Sequence, residues 1–163
     1  MLIFEGDINR FIQFCRYLEL DTSISSMADR IRLQKIFYIL KNFNLDLNLK
    51  FTWYKHGPYS THLADIYYYV NEHPSILSSD LNLSNTEILN LEKSKEFLGP
   101  IIDDTDLLEF YASILFVYKD MVFRKDERNQ ITYENKIKYS KLGLYNMFNY
   151  KESLTRLQRY GLI

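Results

Sequence analysis

A chain of 163 residues with 47% hydrophobic residues is long enough to bury a core, and its composition is far from that of a disordered chain. Gly (5) and Pro (3) are scarce while Tyr (14) and Phe (11) are abundant, which favours long helices over a sandwich of short strands. A formal net charge of −1 argues neither for nor against nucleic acid, and a single cysteine excludes an internal disulfide.

In chain order, Asp7 reads as the cap of a first helix whose inner side is Ile8, Phe11, Ile12, Cys15 and Leu18, ending near Leu20. Cys15 on that apolar face reads as a buried, inert thiol. Ser26 followed by Asp29 is a capping-box pattern, since each side chain satisfies the other residue's free backbone N–H. It opens a second helix with Leu33, Ile36, Phe37, Leu40 and Phe43 on one side and Arg30, Arg32, Lys35 and Lys41 mostly on the others. Asn42 and Asn44 suit its end, because Asn tolerates the left-handed conformation.

Phe51-Thr52-Trp53-Tyr54-Lys55-His56 alternates like a strand, and Gly57-Pro58 reads as the turn after it. Ser60 caps a third helix through Leu63, Ile66, Tyr67 and Val70, closed at His73-Pro74-Ser75, with a loop over 75–83. Ser84 and Glu87 form a second capping box, opening a helix with Ile88, Leu91 and Phe97 that Gly99-Pro100 stops. Asp103, Asp104 and Thr105 offer caps for a helix apolar over much of its circumference, from Leu107 to Val122. It is expected to be the central, most buried helix, although a half-exposed version would serve a homodimer face. Arg124 to Asn129 reads as an exposed charged loop. Tyr133 to Tyr139 fits helix or strand, Gly143 marks a break, and the last helix runs roughly from Lys151 to Tyr160, stopped by Gly161.

Two separated stretches carry a family resemblance. Arg32-Leu33-Gln34-Lys35-Ile36-Phe37-Tyr38-Ile39-Leu40, followed by Trp53-Tyr54-Lys55-His56-Gly57-Pro58-Tyr59-Ser60, resembles the LQK helix and GPYS turn of YwgA-like proteins. More distantly the pair is similar to SocA/Panacea antitoxin-like domains, from which the extended aromatic run before the turn departs. The match covers about a quarter of the chain. It implies a small, mainly helical domain with a role in regulation, in toxin–antitoxin or phage-defence settings. On that basis Gln34, Lys35, Trp53, Tyr54, His56, Gly57, Pro58, Tyr59 and Ser60 are the candidate partner-binding residues. The bland reading is that Gly57-Pro58-Tyr59 is only a rigid turn and that Gln34 and Lys35 are solvated.

No reaction is written in the sequence. It lacks a P-loop, a dinucleotide fingerprint, a G-x-S-x-G elbow and HExxH. His56, His62 and His73 lack the spacing of a metal site, although His62 and Asp65 lie one helical turn apart with His56 across the turn. The carboxylates from Glu87 to Glu109, with Asp103, Asp104 and Asp106 among them, read as a solvated helix start. No metal, cofactor or catalytic group is therefore expected. Without a leader or an apolar run near the ~18 residues needed to span a bilayer, the chain is read as cytoplasmic.

The C-terminal segment supports a rival reading. Leu154-Thr155-Arg156-Leu157-Gln158-Arg159-Tyr160-Gly161-Leu162-Ile163 is similar to the end of a winged-helix recognition helix, with Arg156 and Arg159 facing DNA and Lys151 on phosphate. Charge distribution leans the same way: residues 70–110 carry nine acidic and two basic side chains, residues 111–163 five acidic and ten basic. Leu162 folding back on the last turn is the competing explanation of Gly-Leu-Ile. Taken together, the sequence predicts one mainly α domain over 1–163. It has about six helices, a short extended or hairpin element near 51–56 and a winged-helix-like end. Its expected role is a non-catalytic protein-interaction module, with a DNA-binding regulator as the alternative.

Overall fold

The Ser26 capping box starts the helix on which the others are arranged. In the computed structural model, which describes residues 5–45, 47–78, 82–121 and 130–163, Asp29 N donates to Ser26 Oγ at 3.0 Å and Ser26 N to Asp29 Oδ2 at 3.1 Å. The helix they open, α2 (Met27–Asn42), is followed by Asn44 in the left-handed region, φ 62°. α1 (Glu5–Tyr17) precedes it. β1 (Thr52–Tyr54) and β2 (Gly57–Tyr59) follow as an antiparallel hairpin, then α3 (Thr61–Glu72), a 3-10 turn over Pro74–Ser78, α4 (Asn85–Leu98), α5 (Thr105–Lys119), α6 (Gln130–Ser140), α7 (Leu142–Met147) and α8 (Tyr150–Arg159). The chain is thus mainly helical, and no helix among the described residues is long and apolar enough to cross a membrane.

Two helices share the centre. α5 is buried without a break from Leu108 to Val117, so the face offered above for a homodimer is used up inside the chain. α2 is buried just as continuously from Arg32 to Leu40, and α5 is the element it touches most. Its depth was hidden because Arg32, Gln34 and Lys35 read as an outer face; all three are buried. Around this pair, α1 packs on α3, α4 on α2, and α6, α7 and α8 on α5. Aromatic contacts tie the layers: Phe11 stacks on Phe37 with centroids 4.8 Å apart, and Phe97 meets Tyr111 edge-on at 5.4 Å.

Several local expectations are corrected. Asp7 lies inside α1, buried, and binds His62 Nε2 at 2.8 Å instead of capping the helix. The 75–83 loop begins with the 3-10 turn. Tyr133 to Tyr139 is helical, within α6. The break near Gly143 falls at Lys141, and Gly143 lies within α7. Eight α-helices among the described residues replace the expected six or so. Val122 and the Arg124–Asn129 link lie outside the described residues.

Gly57-Pro58 is not the turn. Tyr54 pairs with Gly57, Trp53 with Pro58 and Thr52 with Tyr59, which leaves Lys55-His56 at the tip and makes Gly57-Pro58-Tyr59 the return strand. Gly57 has φ 87°, and a Cβ there would sit 2.8 Å from Ser113 Oγ on α5. The residue type is therefore fixed both by backbone conformation and by space. Gly57→Ala is expected to cost more than ~1 kcal/mol in urea denaturation. Adding Ser113→Ala should recover the steric part and leave the conformational part.

Candidate functional site

Two consecutive side chains of α2 hold the hairpin from below. Gln34 Nε2 donates to Ser60 O at 2.9 Å, and Ser60 N donates to Gln34 Oε1 at 2.9 Å. Lys35 Nζ donates to Pro58 O at 2.6 Å. Gln34 and Lys35 are each only 1% exposed, so neither is solvated and neither lies on an open surface. Ser60 also caps α3, accepting from Leu63 N at 3.2 Å. The LQK and GPYS halves are thus hydrogen-bonded to each other, and each contact on the hairpin side is to backbone.

A second set holds the tip. Lys141 Nζ donates to Lys55 O at 2.7 Å and to Glu109 Oε2 at 3.2 Å, and sits 5.3 Å from the Trp53 ring centroid. Glu109 Oε1 lies 3.3 Å from His56 Nδ1. Glu109 and Lys141 are both buried, so Glu109 is not part of a solvated helix start. A lone carboxylate inside the apolar run of α5 was the signal that could have marked it; Lys141 carried no such signal. Burial pushes the Lys35 ammonium down to about 7 from its ordinary 10.5, with Glu109 opposing the shift and Lys141 adding to it.

Above this floor lies a cleft of about 430 Å³. Met27, Arg30 and Ile31 of α2 form one wall, Tyr54 and Tyr59 of the hairpin another, and Tyr67 and Tyr68 of α3 the third; Lys55, His56 and Gly57 also border it. Tyr54 and Tyr59 meet edge-on with centroids 5.3 Å apart. Large apolar side chains rim the cleft in the open: Met27 is 60% exposed, Tyr54 53% and Tyr68 47%. Trp53 points the other way, half-buried against Phe116 at 5.4 Å. Of the candidate partner-binding residues, Tyr54, His56 and Tyr59 therefore reach the open side, Gln34, Lys35 and Gly57 line its floor, and Trp53, Pro58 and Ser60 are structural. Met27, Arg30, Ile31 and Tyr68 were missed, because the helix start and the third helix offered no pattern that joins them to the turn.

The remaining candidates are not brought together. His62 is held by Asp7, and His73 Nδ1 meets Tyr69 O at 2.9 Å while its ring stacks on Tyr69. No group of three or more potential metal ligands occurs among the described residues. Arg156 is turned into the molecule, over Phe97 at 4.3 Å, Tyr111 at 5.5 Å and Tyr160 at 5.6 Å, and donates to Phe97 O. Lys151 and Arg159 are exposed, but without Arg156 they form no shared basic row. The described two-stranded sheet precedes α3 in the chain, and its return strand packs on α2 and α5. Leu162 N instead donates to Leu157 O at 3.0 Å and its side chain is buried. No family model, curated protein or solved structure matches the chain.

Gln34→Ala would leave the buried N–H and carbonyl of Ser60 without these bonds, and should lower stability by about 2–4 kcal/mol in urea denaturation. The folded chain holds the Lys35 proton less readily than the unfolded chain. The cost of burying the charge is therefore present in full below about pH 7 and is relieved as pH rises towards 10.5. Urea midpoints of the native chain should climb over that window relative to those of Lys35→Met, and the two should run parallel below it.

Proposed function

We propose that this protein is a non-catalytic regulatory module that binds a partner protein in the cleft between α2, the hairpin and α3. The observation that carries the reading is the exposure of Met27, Tyr54 and Tyr68 around a concave site whose floor is locked by buried hydrogen bonds. Large apolar side chains left in water around a hollow are what an interface centre uses, and a fixed floor spares the ordering cost of binding. Tyr suits such a rim because its ring is apolar and its hydroxyl can still find a partner.

The setting follows what the YwgA-like resemblance implies. A module of this kind regulates by covering the working surface of its partner, as in toxin–antitoxin or phage-defence systems. Gln34, Lys35, Pro58 and Ser60 shape the site, while Tyr54, Tyr59, His56, Met27 and Tyr68 meet the partner.

The test is an affinity capture of tagged protein from its own cell lysate, treated with nuclease. A discrete, nuclease-resistant protein partner is expected. Tyr54→Ala combined with Met27→Ala should weaken its binding by about 2 kcal/mol or more, roughly thirtyfold, with an unchanged far-UV circular dichroism spectrum. Undiminished capture by the double variant would overturn the reading.

A further inference from the structure

We infer that the partner segment in the cleft pairs an aspartate or glutamate with a neighbouring large apolar residue and continues into basic residues. This rests on the docking reading above and specifies its ligand. The cationic side chains bordering the cleft are Arg30 from α2 and Lys55 from the hairpin tip, with Lys35 at the floor. Among the described residues, no aspartate or glutamate lines it.

The floor is short of anions. An ammonium has three donors, and Lys35 Nζ has one acceptor among the described residues, Pro58 O. The carboxylate nearest in effect, Glu109, is already engaged by Lys141 at 3.2 Å and faces His56 at 3.3 Å. Among the described residues Lys35 thus has no carboxylate of its own, since Glu109 is ion-paired with Lys141. A carboxylate entering the cleft supplies the missing counter-charge, while an apolar side chain beside it lies against Met27, Tyr54 and Tyr68.

Beyond the cleft the sign reverses. Met27, Ile31 and His56 also border an adjoining trough of about 770 Å³, whose lining also holds Asp103, Asp104, Asp106 and Glu109. A nucleic-acid strand satisfied by the cleft would run its next phosphates over these carboxylates and be repelled. A peptide changes the sign of its charge from one residue to the next and can follow both.

The experiment is selection of a phage-displayed random dodecapeptide library on the full chain, followed by synthesis of the enriched sequence. Enriched peptides should place Asp or Glu next to Phe, Tyr, Leu or Trp, with Lys or Arg a few residues away. Replacing the acidic residue of the synthetic peptide by its amide should weaken binding at least tenfold. Lys55→Glu should weaken the parent peptide and favour one carrying Lys at that position, while Asp103→Lys with Asp106→Lys should weaken binding through the basic end. Enriched peptides that are apolar but indifferent to charge would overturn the inference and leave the docking reading standing. Peptides that bind the Tyr54→Ala, Met27→Ala protein equally well would overturn the docking reading itself. Tight binding of a fluorescent single-stranded oligonucleotide that the peptide displaces would assign the cleft to nucleic acid and overturn both.

Discussion

The Lys35 ammonium on the Pro58 carbonyl, beside the Gln34 amide on the Ser60 backbone, is the contact on which the arrangement of this protein depends. It joins the central helix to the return strand and to the first turn of α3 within two residues of sequence. A hairpin of three-residue strands has too little surface to hold itself. It keeps its place because buried donors on α2 reach its carbonyl groups from one side, and Lys141 reaches another carbonyl from the other. Polar groups in a dry environment must be matched or they destabilise, which favours the seat in which these bonds are made.

The same arrangement carries an electrostatic cost. Lys35 and Lys141 are both buried, with Glu109 ion-paired to Lys141, and removing charges from water is unfavourable even when they are paired. An apolar layer of the same volume would seat the hairpin less specifically, since dispersion contacts do not distinguish one register from the next. The cluster therefore contributes more to position than to stability.

Much of the architecture was legible because it rests on local chemistry. Ser26 with Asp29, Ser84 with Glu87, Ser60 and Asp104 all begin helices as their side chains require, and Gly161 ends the last one with Leu162 folded back. The site was legible only in outline. LQK and GPYS could be recognised as belonging together, but not that Gln34 and Lys35 point inward, since periodicity assigns polar residues to the outside. The alternation of Phe51 to His56 concealed a tip at Lys55-His56, because a strand and a two-residue hairpin share that composition. Arg156 was misjudged for a related reason: a cation in a basic helix reads as solvent-facing, and only the tertiary fold supplies the rings of Phe97, Tyr111 and Tyr160 that accept it.

On the hairpin side, every group hydrogen-bonded by Gln34, Lys35 and Lys141 is a main-chain carbonyl or amide: Lys55 O, Pro58 O, Ser60 O and Ser60 N. Main-chain groups are common to all residue types. The side chains of Tyr54 and Lys55 at the open side therefore take no part in these hydrogen bonds, whereas His56 does face the cluster through Glu109. Gly57 is fixed by its own geometry. Such a scaffold can change what it recognises by point substitution while inheriting its shape intact, much as one handle accepts different blades.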